Sequence, residues 1–160
     1  MKLKSSNKII TPFLALDKMK NWCAYQERSQ NEARQKLYEF KLESEQTEAI
    51  IIELISENYL NEERFAMAFA SGKFRIKQWG RIKIKMALRQ HKISDYCIKK
   101  ALEGINEVEY EKTLIKVIEK KLNLTKGGDQ RKRFYAVSNY AISRGFESDF
   151  VIEQLKVLLA

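Results

Sequence analysis

Basic side chains crowd into one short segment of this sequence, Phe74 to Lys92, which reads FRIKQWGRIKIKMALRQHK and contains no aspartate or glutamate. Lysine and arginine donate charged hydrogen bonds, so their chemistry here is the binding of phosphates or carboxylates. The predicted contact residues are the bases in and just before this run, its tryptophan as an anchor, and two later arginines: Lys73, Arg75, Lys77, Trp79, Arg81, Lys83, Lys85, Arg89, Lys92, Arg131 and Arg133.

Residue sets for catalysis are missing from the sequence. The single histidine, His91, has no serine, cysteine or carboxylate at a recognisable catalytic spacing. Cys23 and Cys97 lie far apart without a second pair, which disfavours both a disulfide framework and a zinc site. We therefore expect no enzyme activity, no catalytic residues, no cofactor and no bound metal. Both cysteines are expected in the core, and His91 is expected to be partly buried.

The overall charge also favours an anionic partner. Thirty basic and 21 acidic residues give a formal net charge of +9, which attracts polyanions. No apolar run approaches the roughly 18 residues of a membrane span, and the apolar stretch at residues 9–16 is short and interrupted by Pro12. We expect a cytoplasmic protein with no export signal and no membrane contact.

The elements that position the basic run are predicted to be helices. One proline and six glycines leave few residues for strand-to-strand turns, and apolar residues recur at helical spacing. The predicted class is all-α. Nine helix starts are marked by capping residues, and Gly145 is expected to be the left-handed residue that ends the eighth helix. The starts are Thr11, Ser29, Ser44, Asn61, Gly80, Ser94, Asn106, the stretch near Asp129, and Ser148.

The middle of the basic run alternates apolar and basic residues from Ile82 to Met86, as a half-buried strand would. It lies, however, between the Gly80 start and Leu88, in the slot that residues 31–35 hold between Ser29 and Leu37. We therefore predict a helix. At 100° per residue its core face contains Ile84, Ala87, Leu88 and His91, and a neighbouring basic stripe contains Arg81, Lys85, Arg89 and Lys92.

These markers repeat along the chain. Ser29, Leu37 and Leu42 are followed 51 residues later by Gly80, Leu88 and Ile93, and Phe146 follows Ile93 after 53 residues. Such spacing predicts three tandem three-helix repeats, in residues 1–60 with an N-terminal extension, 61–105 and 106–160. The alternative is a single helical bundle without true repeats.

Three segments carry a resemblance to the RecX family, whose members are regulatory proteins that bind the RecA recombinase. RSQNEARQKL at Arg28–Leu37 resembles the family's Arg-Ser-x-x-Glu-Leu-x-x-Lys-Leu, with Ala33 in place of the leucine. NYLNEERFAMAF at Asn58–Phe69 is similar to a second family segment. The third segment is the basic run, through Trp79, Gly80, Ile84, Leu88, Arg89, Lys92 and Ile93.

The resemblance implies an elongated, curved array of three-helix repeats that lies in the helical groove of the RecA filament on single-stranded DNA. It also implies a role in DNA repair, homologous recombination and the SOS response, through inhibition of strand exchange, ATP turnover and co-protease action. The implied partners are the RecA filament and single-stranded DNA, with duplex DNA as a further candidate, bound by a monomer.

The residues themselves leave other interpretations open. A DNA-binding module that works without RecA would use residues 81–91 as a recognition helix. A helical scaffold would offer the basic face to an acidic protein, and a basic run is often only solvated surface. Trp79 suits either stacking on a base or packing against a helix start. Arg131 and Arg133 oppose the helix dipole at the start of the eighth helix, a cost that a partner would offset.

Overall fold

The computed structural model describes residues 9–160, and these form helices with no β-strand among them. No helix in this range is both long and apolar enough to cross a bilayer. The predicted all-α class and the predicted nine helices are confirmed over the described residues. In chain order they are α1 (Pro12–Tyr25), α2 (Gln30–Tyr38), α3 (Ser44–Ser56), α4 (Glu62–Arg75), α5 (Arg81–Gln90), α6 (Asp95–Glu103), α7 (Glu107–Leu124), α8 (Gln130–Ser143) and α9 (Ser148–Leu159).

Side-chain caps fix most of the helix starts. The Thr11 hydroxyl accepts a hydrogen bond from the Leu14 N–H at 3.2 Å, with Pro12 in the first turn. Ser29 and Glu32 form the expected capping box, in which the Ser29 hydroxyl accepts from the Glu32 N–H at 3.0 Å. The predicted caps at Asn61, Ser94, Asn106 and Asp129 also accept from the first turns of their helices.

Two predicted caps are displaced by one residue. Helices α3 and α9 begin at Ser44 and Ser148, but the capping positions belong to the preceding residues, Glu43 and Glu147. At α3 the Gln46 side chain accepts from the Glu43 N–H at 3.2 Å, which satisfies the backbone group outside the helix. A serine near the start of a predicted helix therefore indicates the helix, but it does not identify the residue that caps it.

The chain divides into two compact units, one ending at Phe65 and the other running from Ala66 to Ala160. In the first unit α1, α2 and α3 pack around a core that also receives the half-buried Leu42. Its buried residues are Ala15, Met19, Cys23, Ala33, Leu37, Ile50, Ile51, Leu54 and Leu60.

The second unit is organised around Tyr110, a fully buried residue of α7. The tyrosine ring lies 5.8 Å from that of Phe74, 5.3 Å from Phe146 and 6.2 Å from Phe150, measured between ring centroids. Aromatic contacts at these separations add to the burial of a large apolar area. They join the end of α4 to α7 and to the α8–α9 turn, and this junction positions the basic run.

A shared backbone turn supports the helical repeat. Lys41, Lys92 and Gly145 have φ angles of 55°, 58° and 98°, and each directly precedes one of the apolar residues Leu42, Ile93 and Phe146. A left-handed residue ends a helix and redirects the chain, so the same turn occurs after α2, α5 and α8. The exact boundaries of the three repeats stay a prediction, and the one expected after residue 105 falls inside the second unit.

Candidate nucleic-acid interface

The alternating residues of the basic run belong to helix α5, as predicted. Ile84 and Leu88 are fully buried, whereas Ile82 and Met86 are 46% and 59% exposed on the opposite side. The alternating pattern does not indicate a strand here, because Ile84 and Leu88 face the core while Ile82 and Met86 face outward. The exposed pair leaves an apolar strip along the outer surface of α5.

This strip separates the basic residues of α5 into two groups. A turn of 100° per residue places Lys83 on one side of Ile82 and Met86, and Arg81, Lys85 and Arg89 on the other. The helix therefore has two basic flanks, one with Arg81, Lys85 and Arg89 of the predicted stripe and one with Lys83. We call Lys73, Trp79 and Lys83 the Trp79 cluster, and the depression beside Arg81, Lys85 and Arg89 the α5–α6 groove.

In the Trp79 cluster two ammonium groups approach one indole ring. The Lys73 Nζ lies 4.9 Å from the ring centroid and the Lys83 Nζ lies 4.5 Å from it. Lys73 comes from the last turn of α4 and Lys83 from the first turn of α5, so the two helices supply the cations and the intervening turn supplies the aromatic ring. Over residues 9–160 neither lysine has a carboxylate within ion-pair distance.

The turn that presents Trp79 is held on several sides. The Trp79 N–H donates to the Lys73 carbonyl at 3.1 Å, and Gln78 adopts a left-handed φ of 54°. From the α8–α9 turn, the Arg144 carbonyl accepts from the Gly80 N–H at 2.8 Å, and the Arg144 guanidinium donates to the Lys77 carbonyl. The geometry of this turn therefore depends on a residue far along the chain.

Arg81 is committed to contacts within the protein. Its guanidinium lies 2.5 Å from a Glu107 oxygen and 3.6 Å from a Glu147 oxygen, and it stacks 3.8 Å from the centroid of the Tyr110 ring. The Tyr110 hydroxyl donates to Glu147 at 2.6 Å and accepts from the Arg81 N–H at 3.1 Å. Arg81 was predicted to be a contact residue because the run contains no acid. Its charge is compensated in the structure by acids from α7 and the α8–α9 turn.

Charge and burial shift the pKa of both partners in this arrangement. Burial is the largest influence on Arg81 and opposes its charge, but the hydrogen bond to Glu107 and the charges of Glu107, Tyr110 and Glu147 together outweigh burial and raise the pKa of the guanidinium. Burial, together with the hydrogen bond to Glu147, raises the pKa of the Tyr110 hydroxyl well above its usual range. The arginine stays charged and the phenol stays protonated, which keeps the network intact at neutral pH.

The α5–α6 groove has a volume of about 480 Å³ and a mixed lining. Ile98 and Leu102 supply apolar surface, while Arg89 and Lys99 each lie 4.0 Å from a carboxylate, on Asp95 and Glu103 respectively. Lys85 is exposed and has no carboxylate partner among the described residues. This flank is therefore less cationic than its sequence indicates.

The remaining predicted contact residues are four exposed cations and one cation that bonds within the protein. Arg75, Lys77, Lys92 and Arg131 are exposed and have no ion-pair partner within residues 9–160. Arg133 is half-buried, and its guanidinium donates to the Leu122 carbonyl at 2.8 Å near the end of α7. A structural role therefore explains Arg133 without a partner.

The residues set aside as structural are where they were expected. Cys23 and Cys97 are buried free thiols, and burial raises the pKa of Cys23 to about 11. His91 is half-buried, with its ring 5.2 Å from that of Phe69. Sequence reasoning missed Tyr110, Arg144 and Glu147, which support the Trp79 turn and the start of α5. The only available signal was that Arg144-Gly145-Phe146 occupies the repeat position of His91-Lys92-Ile93.

Known proteins resemble the chain in both sequence and fold. A family model described as RecX, second three-helix domain, matches residues 61–102. The Regulatory protein RecX of Prosthecochloris aestuarii (strain DSM 271 / SK 413) is 28% identical over 145 residues, which cover 91% of this chain and 93% of that protein. The Regulatory protein RecX of Clostridium perfringens (strain 13 / Type A) is 30% identical over 124 residues, covering 76% of this chain and 58% of that protein.

Two solved structures share the fold. The crystal structure of RecX from Lactobacillus salivarius aligns with a TM-score of 0.83 and 20% identity, over 92% of this chain and 96% of that one. A crystal structure of regulatory protein RecX aligns with a TM-score of 0.83 and 23% identity, over 91% and 71% of the two chains. Residues 61–102, which contain the basic run, match the second three-helix domain of the RecX family, and most of the chain is similar in sequence and fold to RecX regulatory proteins.

Proposed function

We propose that this protein binds the RecA filament on single-stranded DNA and inhibits its strand exchange, ATP turnover and co-protease action in DNA repair and the SOS response. The resemblance to the RecX family carries the proposal, because it implies RecA as the partner. The protein acts by binding and performs no catalysis. It works as a cytoplasmic monomer, without a cofactor.

The charges on α4, α5 and their connecting turns support a polyanionic target. Seven predicted contact residues lack a carboxylate partner among the described residues: Lys73, Arg75, Lys77, Lys83, Lys85, Lys92 and Arg131. Six of them lie in or beside the Phe74–Lys92 run. A helix face that binds no partner usually carries charges of both signs. This excess of positive charge therefore fits phosphate binding.

Charge reversal on α5 tests the proposal. Lys83→Glu, Lys85→Glu and Arg89→Glu together are expected to abolish inhibition of RecA strand exchange. The matched control reverses three exposed lysines of α7, Lys112, Lys116 and Lys120, which changes the net charge equally away from α5. Loss of inhibition in the first variant alone supports the proposal. Full inhibition by a folded α5 triple variant contradicts the assignment of this surface.

Titrations with three targets separate the proposal from its rivals. A regulator of the filament binds the assembled RecA filament on single-stranded DNA more tightly than RecA alone or DNA alone. A DNA-binding module independent of RecA binds naked DNA tightly and with a steep salt dependence. A scaffold for an acidic protein binds neither DNA nor the filament through these lysines.

A further inference from the structure

We propose that the Trp79 cluster is a stacking site for an unpaired nucleobase, in which Trp79 carries the base and Lys73 and Lys83 take the flanking phosphates. The inference rests on the proposed function and deepens it, since it assigns this flank of α5 to single-stranded nucleic acid. The α5–α6 groove plays no part in it.

The first argument is the pairing of an aromatic ring with uncompensated cations. Sites for single strands combine aromatic rings that stack on bases with cations that follow the backbone, and base stacking requires no particular sequence. Trp79 and its two lysines contain both parts, with the ammonium groups 4.9 Å and 4.5 Å from the ring centroid. Arg75 and Lys77, both exposed, extend the cationic surface along the same stretch of chain.

The second argument is that these lysines can be recruited. Neither is held by a carboxylate within the described part of the chain, and these half-buried lysines meet the indole through cation–π contacts, which are weaker than a charge-assisted hydrogen bond. A phosphate offers a charge-assisted hydrogen bond in exchange. The long lysine side chains can therefore swing from the ring to the backbone of a strand, which frees a ring face for a base.

The third argument is that the ring is held in place before any ligand arrives. The Trp79 turn is fixed by its own hydrogen bond to the Lys73 carbonyl and by two contacts from Arg144 to Lys77 and Gly80. A rigid turn loses little conformational entropy on binding.

The stacking site favours single strands over duplexes. Bases in a duplex are already stacked on one another, and separating them costs free energy. A flexible strand can turn one base onto the indole while its neighbouring phosphates reach Lys73 and Lys83. The same three residues on a duplex contact only phosphates, and so bind it more weakly.

Tryptophan fluorescence tests the inference without RecA. The chain has two tryptophans, and Trp22 lies in the first unit with its ring centroid 4.2 Å from the Arg28 guanidinium. In a Trp22→Phe variant the tryptophan fluorescence comes from Trp79 alone. A 12-nucleotide oligothymidylate is expected to quench Trp79 emission, and a duplex of equal length is not. Trp79→Leu is expected to weaken oligothymidylate binding, measured by anisotropy, about tenfold and to leave duplex binding unchanged.

Further variants control for misfolding and separate the effect of the aromatic ring from the effect of charge. Trp79→Phe keeps an aromatic face and is expected to lose less affinity than Trp79→Leu, while helical circular dichroism verifies that both are folded. Lys83→Gln is expected to weaken oligothymidylate binding. It should also reduce the slope of log affinity against log salt concentration by about 0.7.

Several results overturn the inference. They are unchanged Trp79 emission when the oligomer binds, equal quenching by the duplex, and unchanged oligomer affinity in a folded Trp79→Leu variant. Absence of any oligomer binding overturns it as well. None of these touches the proposed function, which is decided separately by inhibition of strand exchange.

Discussion

Gly80 and Gly145 meet backbone to backbone, where the start of α5 contacts the α8–α9 turn. A Cβ atom added to Gly80 would overlap the carbonyl group of Gly145, and one added to Gly145 would overlap the backbone and Cβ of Lys83. Gly145 also has a φ of 98°, which side chains other than glycine rarely adopt. The contact between these two residues therefore requires glycine at both positions.

We predict that Gly80→Ala destabilises the protein by about 1–3 kcal/mol, because backbone atoms must move apart. Gly145→Ala is expected to cost more, since strain at a positive φ adds about 1–3 kcal/mol. The control is Gly72→Ala in α4, where an added Cβ meets nothing within 4 Å. This change should stabilise by up to about 1 kcal/mol. Urea unfolding measures all three, and a harmless Gly80→Ala contradicts the close contact.

Tyr110→Phe should destabilise the second unit by about 1–2 kcal/mol at pH 7, because it leaves Glu147 and the Arg81 N–H without their partner. The folded-state pKa of Tyr110 is raised, so its contribution is fully present below the unfolded pKa of about 10 and declines as pH rises beyond it. The difference in unfolding free energy between wild type and Tyr110→Phe should therefore shrink from pH 7 to pH 10.5. If the difference in unfolding free energy stayed constant over this pH range, the Tyr110 hydroxyl would have the same pKa in the folded and unfolded states.

Arg81→Gln and Lys77→Gln should separate stability from DNA affinity. Loss of Arg81 removes contacts with Glu107, Glu147 and Tyr110, so thermal unfolding should show a loss of about 1–2 kcal/mol. The salt slope of binding to single-stranded DNA should not change. Lys77 is exposed, so Lys77→Gln should leave stability within about 0.5 kcal/mol and reduce that slope by about 0.7. The reverse pattern would place Arg81 at the interface.

Arg64→Lys should destabilise the first unit by about 1 kcal/mol. The guanidinium joins Glu27 at 2.5 Å to the Asn58 carbonyl at 3.0 Å and the Tyr59 carbonyl at 3.5 Å, a set that a single ammonium cannot reproduce. Arg34→Lys is the control, since Arg34 forms an exposed pair with Glu48 at 2.9 Å, and such pairs contribute little. Equal effects of the two changes in chemical unfolding would contradict the special role of Arg64.

Local features of this fold were predictable because caps act within one turn. Thr11, Ser29, Asn61, Ser94 and Asn106 each accept from a backbone N–H three residues later, so a single sequence displays them. The left-handed Gly145 was predictable for a similar reason. Glu43 and Glu147 were missed as capping positions, because a serine one residue later is the more familiar cap.

Long-range pairing was not predictable from one sequence. The basic run contains no acid, so Arg81 looked uncompensated, yet Glu107 and Glu147 reach it from 26 and 66 positions further along the chain. Arg133 was misjudged for the same reason, since its acceptor is a backbone carbonyl that leaves no mark in the sequence. Lys73, Lys77 and Lys83 have no carboxylate partner among residues 9–160, so the charge pattern was informative for part of the run.

The support that Arg144 gives to the Lys77 carbonyl spans 67 residues. During synthesis the segment with Trp79 leaves the ribosome well before Arg144 and Gly145 do, and its turn lacks this backing in the interval. Closing so long a loop is slow compared with forming the helices on either side. The cationic run of a nascent chain is thus already exposed while its final shape is still missing, and only the arrival of the last two helices completes it.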